Sequence, residues 1–373
     1  MKVMNSPRSV ELAITNQCNL RCKYCSHFSS AGDVDHDLPK DEWLSFFEEL
    51  NRCQVMNITL QGGEPFYRDD LHELIEGIVR NRMRFSILSN GTLIDDEMAA
   101  FLTATGRCDG VQVSIDGSSA SIHDANRGKG SFQQAIAGIE CLRKNGVNVS
   151  VRVTIHKQNV RDIEAIAKLL LDDLRIPNFS TNAASYMGLC RSNAEMVQLT
   201  VEERSFAMES MLRLRAKYNG RVNATAGPLY EVECWLRMEK ARRNGSGGFS
   251  EAGYLTACRG FLSQLAIRAD GVIVPCIQIP HIELGRINRD DFCVVWRNNS
   301  ELNRLRERRA VPLSEFEFCN GCEYMDYCTG GCPALAYTLT GLDFHPSPDA
   351  CLKRFLEAGG RLPEEKILDG AKY

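Results

Sequence analysis

The stretch TNQCNLRCKYC, residues 15–25, sets Cys18, Cys22 and Cys25 in a CxxxCxxC array directly after a run in which Val10, Leu12 and Ile14 alternate with other residues. Alternation of that period reads as a strand beginning near residue 9, so the three thiols stand at its carboxyl end. Three is an odd number for a closed metal site. Structural zinc takes four ligands and iron-sulfur clusters usually take four cysteines, so a three-cysteine set leaves one coordination position vacant, where an iron can bind a substrate. On spacing alone two blander readings stay open: chance thiols in a loop, or part of a zinc site.

Outward from this array the apolar periodicity switches repeatedly between strand and helix. Further strands are expected at 56–61, 84–90, 110–115, 147–155 and 178–183, and helices at 40–52, 69–82, 95–105, 131–145 and 160–173. Six such alternations predict an α/β fold with a parallel sheet, doubly wound or a barrel, and a site at the carboxyl ends of the strands. Two more helices, 200–218 and 228–243, lead into RRNGSGGFSE at 242–251, a loop or domain boundary. The expected division is 1–184, a bridging region 185–250, and 251–373, where few long periodic segments occur and metal clusters would supply the missing cross-links.

The 373 residues carry 44 Lys and Arg against 48 Asp and Glu, a formal charge of -4, so the basic surplus of a generic nucleic-acid binder is missing. No apolar run is long enough to span a bilayer and no secretory signal opens the chain, which reads as a cytoplasmic protein with no membrane partner. Its 16 cysteines are then a question about metal ligands rather than disulfides.

The second strand runs into Gln61-Gly62-Gly63-Glu64-Pro65, where two glycines allow close backbone approach to a ligand and Glu64 can accept from an ammonium group. Cys18, Cys22, Tyr24 and Cys25 followed by this GGEP resemble the radical SAM superfamily, whose CxxxCxφC motif (φ aromatic) holds a 4Fe-4S cluster with S-adenosylmethionine on the fourth iron. The resemblance implies a partial barrel of six β/α units, Tyr24 near the adenine, and Gly62, Gly63 and Glu64 at the SAM amino group. It also implies ribose contacts from Ser89 and Asn90 after the third strand, and further contacts from Ser114 and Asp116 in SIDG. Arg127, in the loop HDANRGKGSF, offers a fork suited to the SAM carboxylate, and Thr154 is a weaker candidate.

At the other end, Cys258 is followed by Gly271 and Cys276, then by Cys319, Cys322, Cys328 and Cys332 as CxxCxxxxxCxxxC, then by Cys351. The four-cysteine run alone could hold zinc. The full order resembles the seven-cysteine SPASM extension of radical SAM enzymes, which houses two auxiliary 4Fe-4S clusters. It implies Cys258, Cys276 and Cys332 at one and Cys319, Cys322, Cys328 and Cys351 at the other, three clusters in all. The first set is one ligand short, and Cys234, 24 residues before Cys258, is the candidate to complete it. Cys53, Cys108, Cys141, Cys190 and Cys293 read as buried thiols.

The resemblance implies reductive cleavage of SAM to a 5'-deoxyadenosyl radical that takes a hydrogen atom from substrate, and most such enzymes modify ribosomally made peptides. The expected partners are a peptide substrate and a reducing donor such as flavodoxin or ferredoxin; since nine residues before the first strand are too few to fold into a leader-binding domain, a leader would be read either by a separate leader-binding protein or directly by the barrel and SPASM surfaces. Alternatives are a relative acting on a small molecule such as a tetrapyrrole side chain, or a non-catalytic iron-sulfur or zinc scaffold. Sulfatase-maturating relatives carry Asp directly after the cysteine occupied here by Cys276, where this chain has Ile277 and Gln278. Formylglycine formation is therefore disfavoured.

Overall fold

In the computed structural model, residues 4–27, 36–256 and 258–364 are described. Ten strands form one sheet: β1 Ser9–Thr15, β2 Asn57–Gly62, β3 Arg84–Ser89, β4 Cys108–Ser114, β5 Val149–Ile155, β6 Phe179–Ala183, β7 Val222–Ala224, β8 Gln264–Ile267, β9 Val272–Val274 and β10 Gly285–Arg286. Their order is β10-β9-β8-β1-β2-β3-β4-β5-β6-β7. β1 to β7 pair in parallel with crossover helices between most of them, as βαβ units require.

The period-2 pattern sorts the two faces. In β5, Val149, Val151 and Val153 are buried towards the helices, and the alternate positions Ser150 and Arg152 turn to the open side. On the covering layer, helix Lys40–Arg52 buries Trp43, Phe46, Phe47 and Leu50, and helix Leu71–Arg80 buries Leu71, Leu74, Ile75 and Ile78, each at helical spacing. Fully burying side chains of this size stabilises the fold by roughly 1.5 to 3 kcal/mol apiece before entropy is counted.

Four differences from the sequence reading have physical causes. Arg127 is not in a loop: it ends helix Ala120–Arg127, which buries His123, Asn126 and Arg127 and so shows no apolar periodicity. The three-residue β7 adds a seventh parallel strand beyond the expected six. The cysteine-rich region does pack by apolar contact, since Leu265, Ile267, Ile273, Phe292, Trp296, Leu302, Leu352 and Phe355 belong to the same core as the barrel. β8 moreover pairs with β1 in parallel, Ser9 opposite Gln264, so one sheet continues into that region. Finally, Cys53 and Cys293 are not separate thiols but a disulfide. Helix Phe292–Asn298 docks on the end of Lys40–Arg52, with Phe46 and Phe292 edge to face at 5.4 Å and Glu49 accepting the Phe292 N–H at 2.7 Å, and this brings the two sulfurs together.

Candidate functional site

The carboxyl ends of β1 to β6 open on a cavity of about 470 Å³ whose lining includes Cys18, Cys22, Tyr24, Cys25, Gly62, Gly63, Ser89, Asn90, Ser114, Arg127 and Thr154. Leu20 N–H donates to Cys18 Sγ at 3.4 Å, while Asn90 Nδ2 reaches both Cys18 Sγ at 3.9 Å and Asn19 Oδ1 at 2.9 Å. Arg127 Nη1 lies 3.9 Å from Cys22 Sγ. Burial pushes the Cys18 thiol up to about 11 and the Cys22 thiol to about 12, each raised further by neighbouring thiols of the set. Loading a cationic metal centre here therefore releases protons.

The glycines at the β2 end are there for close approach. A Cβ on Gly62 would sit 2.2 Å from Thr15 O, and one on Gly63 would sit 2.1 Å from Gln17 O. Gly63 N–H donates to Thr15 O at 2.7 Å and Glu64 N–H to Gln17 O at 2.8 Å, clamping this turn to the loop that carries Cys18. The Glu64 side chain itself is almost fully buried. Its carboxylate accepts from Ser89 Oγ at 2.8 Å, Asn90 N–H at 2.7 Å and Phe66 N–H at 3.2 Å. Burial pushes Glu64 up to about 7 against the lowering effect of these donors.

Asp116 is also turned inward. It accepts from Tyr24 Oη, Arg127 Nε and, at 2.7 Å, Thr154 N–H, and its own N–H donates to His123 Nδ1 at 3.1 Å. Burial works to raise its pKa, yet the Arg127 guanidinium and the two histidines hold it below the usual carboxylate range. The Tyr24 ring stacks on His156 at 5.4 Å and has Arg127 at 5.4 Å from its centroid. Burial depresses both His123 and His156 to about 4. Glu64 and Asp116 thus sit behind the lining residues and fix Ser89, Asn90, Tyr24, Arg127 and Thr154 in place.

The remaining cysteines converge in two groups. Cys258 and Cys276 are raised by burial and by each other or by Cys332, Cys276 reaching about 12. Cys319, pushed by burial to about 12, is raised also by Cys328, Cys351 and Cys322, and these four line one apolar-walled pocket. Backbone N–H groups two residues on donate to Cys258 (Gly260, 3.4 Å), Cys276 (Gln278, 3.4 Å) and Cys328 (Gly330, 3.3 Å), repeating the Leu20 to Cys18 bond. Donors aimed at sulfur are what a thiolate-held cluster uses. Among the described residues no group of three or more His, Cys, Asp or Glu side chains is placed to hold a single metal ion. Cys234 sits in helix Pro228–Arg243 near Tyr230, Arg237, Glu233 and Glu231. Of the expected buried thiols, Cys190 is fully buried, whereas Cys108 and Cys141 are partly exposed.

The far wall of the cavity carries Ile277 and Gln278, noted in the sequence only for the missing acid, together with Gln112, Arg152, Asn182 and Arg268, which went unread there. Arg268 is ion-paired to Asp270 at 2.6 Å, whereas Arg152 donates to Gln112 Oε1 at 3.2 Å. The available signal was a lone charge in the valine alternation of β5. Among the described residues no helix is long and apolar enough to cross a membrane.

A family model of the radical SAM superfamily matches residues 12–170, and one of the SPASM iron-sulfur cluster-binding domain matches residues 258–323. The Fe-coproporphyrin III synthase of Methanosarcina barkeri is 30% identical over 330 residues, 85% of this chain and 81% of that protein. The mycofactocin maturase MftC of Mycobacterium tuberculosis is 27% identical over 371 residues, 94% of this chain and 84% of that protein. Among solved structures, Streptococcus suis SuiB bound to its precursor peptide SuiA superposes with a TM-score of 0.71 at 15% identity, covering 94% of this chain and 77% of SuiB.

Proposed function

The chain belongs to the radical SAM superfamily, as a SPASM-bearing enzyme that uses S-adenosylmethionine and iron-sulfur clusters, and from that premise we propose that it modifies a ribosomally made peptide. A cluster held by these cysteines, with SAM bound to it, would supply one-electron reductive chemistry and through it the means to take a hydrogen atom from substrate, methionine being released. Everything else is the work of this chain's side chains. Cys18, Cys22 and Cys25 hold the first cluster. The backbone of Gly62 and Gly63 receives the SAM amino end, Ser89 and Asn90 the ribose, and Ser114 and Arg127 the carboxylate. Tyr24, pinned between His156 and Asp116, walls the adenine side. Glu64 and Asp116 orient these groups rather than approach the cofactor. The Cys258 and Cys319 groups hold two further clusters.

The observation that carries the peptide reading is the far wall of the cavity. Gln112, Asn182, Gln278, Ser185 and Arg152 present amides, a hydroxyl and a cation, and Asn182 Oδ1 has no partner among the described residues. Tyr24 is the one phenyl-type ring in the described lining. A backbone rich in N–H and C=O groups satisfies such a wall, while a flat macrocycle would want broad apolar sides. The tetrapyrrole reading has support of its own in several relatives: the Fe-coproporphyrin III synthase of Methanosarcina barkeri and the AdoMet-dependent heme synthases of Methanosarcina barkeri, Oleidesulfovibrio alaskensis and Nitratidesulfovibrio vulgaris. Ile277, in place of an acid, leaves formylglycine formation disfavoured.

The deciding experiment is anaerobic turnover of the reconstituted protein with SAM and dithionite, offered in parallel any short peptide encoded beside its gene and iron coproporphyrin. A mass change in the peptide is the expected result. Conversion of the tetrapyrrole with the peptide untouched would transfer the assignment to the second reading. Comparing the full precursor with its isolated core, with and without a small partner encoded nearby, tests separate leader recognition; equal rates throughout would remove it. Flavodoxin or ferredoxin replacing dithionite tests the donor.

A further inference from the structure

Arg308 begins the short turn Arg308–Ala310 after helix Ser300–Glu307 and has no solvent exposure. Its Nε donates to Thr256 O at 3.0 Å, but Nη1 and Nη2, both buried, have no hydrogen-bond partner among the described residues. The Phe344 ring, 5.5 Å from the guanidinium carbon, is no substitute for a counter-charge. The acidic group acting on it, Asp343, is paired to Arg304 Nη2 at 2.7 Å. Thr256, which accepts from Arg308 Nε, also takes the Cys258 N–H on its hydroxyl at 3.1 Å, so the guanidinium lies against the Cys258 segment, with the Cys258 and Cys332 thiols as neighbours. A buried cation left without compensation is strongly destabilising, and an orphaned pair of donors beside two cysteines of one cluster group calls for an anion at that spot.

A 4Fe-4S cluster on thiolates carries net negative charge, and hydrogen bonds and charges around its sulfurs set its reduction potential. We propose that Arg308 is the buried counter-cation of the cluster held by Cys258, Cys276 and Cys332, its two Nη groups donating to sulfur there and raising that cluster's reduction potential. This rests on reading that cysteine group as a cluster site. Arg308 is a positioning and tuning residue, outside the described lining of the three-cysteine cavity.

The test uses the reconstituted full-length protein and reads potentials rather than turnover. Wild type should hold about 12 iron, four per cluster, and the Cys18, Cys22, Cys25 to Ala background should hold about 8, isolating the two C-terminal clusters for a redox titration followed by electron paramagnetic resonance. In that background Arg308→Met should shift one of the two signals to a more negative midpoint and leave the other in place, or lose about four iron outright. Arg308→Lys, which keeps the charge without the planar fork, should recover the iron and most of the shift. If Arg308→Met is insoluble, Arg308→Gln makes the same comparison. Full iron with both midpoints unchanged in the neutral variant overturns the counter-cation. Wild type holding about four iron would overturn the cluster site itself, a failure distinguishable from that of Arg308.

Discussion

Asp116 shows how much of the site is carried by residues that do not line it. Its carboxylate collects Tyr24, Arg127 and the Thr154 N–H, and its backbone carbonyl accepts from Asn159 Nδ2 at 2.9 Å. Asp116→Asn removes the charge opposite a buried guanidinium, and breaking such a pair costs about 3 to 5 kcal/mol. Denaturant unfolding should show that loss, with weaker SAM binding accompanying it because Arg127 and Tyr24 are released together. A second prediction concerns acid. His123 and His156 are held neutral to about 4, against 6.5 when exposed, so the folded state loses stability as pH falls from 6.5 through 4, where the unfolded chain binds protons that the fold refuses. His123→Asn keeps an acceptor for the Asp116 N–H and should make this decline shallower. An unchanged slope in a pH series of unfolding midpoints would mean that His123 is protonated in the fold.

At the level of elements, the site is set by backbone contact between neighbouring turns. The β2 turn touches the Cys18 loop so closely that Gly63→Ala must push the two apart. The expected outcome is a loss of about four iron with the C-terminal clusters retained, read by iron analysis of the variant beside wild type; full iron and unaltered SAM affinity would show that the loop yields. Elements of this kind were readable in proportion to their apolar periodicity. Helix 40–52 and the strand ends at Thr15, Gly62, Ser89 and Ser114 follow from alternation and from the glycines. Helix Ala120–Arg127 escaped because its buried side is His123, Asn126 and Arg127, held by hydrogen bonds that leave no hydrophobic signature. The same cause hid Arg152 and Gln112, inward-facing polar side chains at positions where only the outward valines announce the strand.

Across the whole molecule one sheet and one large apolar core draw on residues from all three expected regions. The Glu11 carboxylate accepts from Gln61 Nε2 at 3.0 Å on one side and from Gln264 Nε2 at 2.9 Å on the other, joining β2, β1 and β8. A chain ending at residue 250 would leave the β1 edge bare, with its unpaired N–H and C=O groups. Such a truncation should be insoluble or unfold without a cooperative transition, while the full protein melts in one; a well-folded truncation would establish the barrel as independent. Proteins of this size were legible in outline here because ten cysteines announce their groups by spacing, and illegible where β8 and β9 are too short to show a period. The pairing of β8 with β1 also has a meaning in time. Glu11 and Gln264 are 253 residues apart in the chain. At roughly 5 to 20 residues per second a ribosome needs about 10 to 50 s to deliver the second after the first. For that interval the nascent barrel has an open flank beside the Cys18 loop, closed only when β8 arrives to pair with β1.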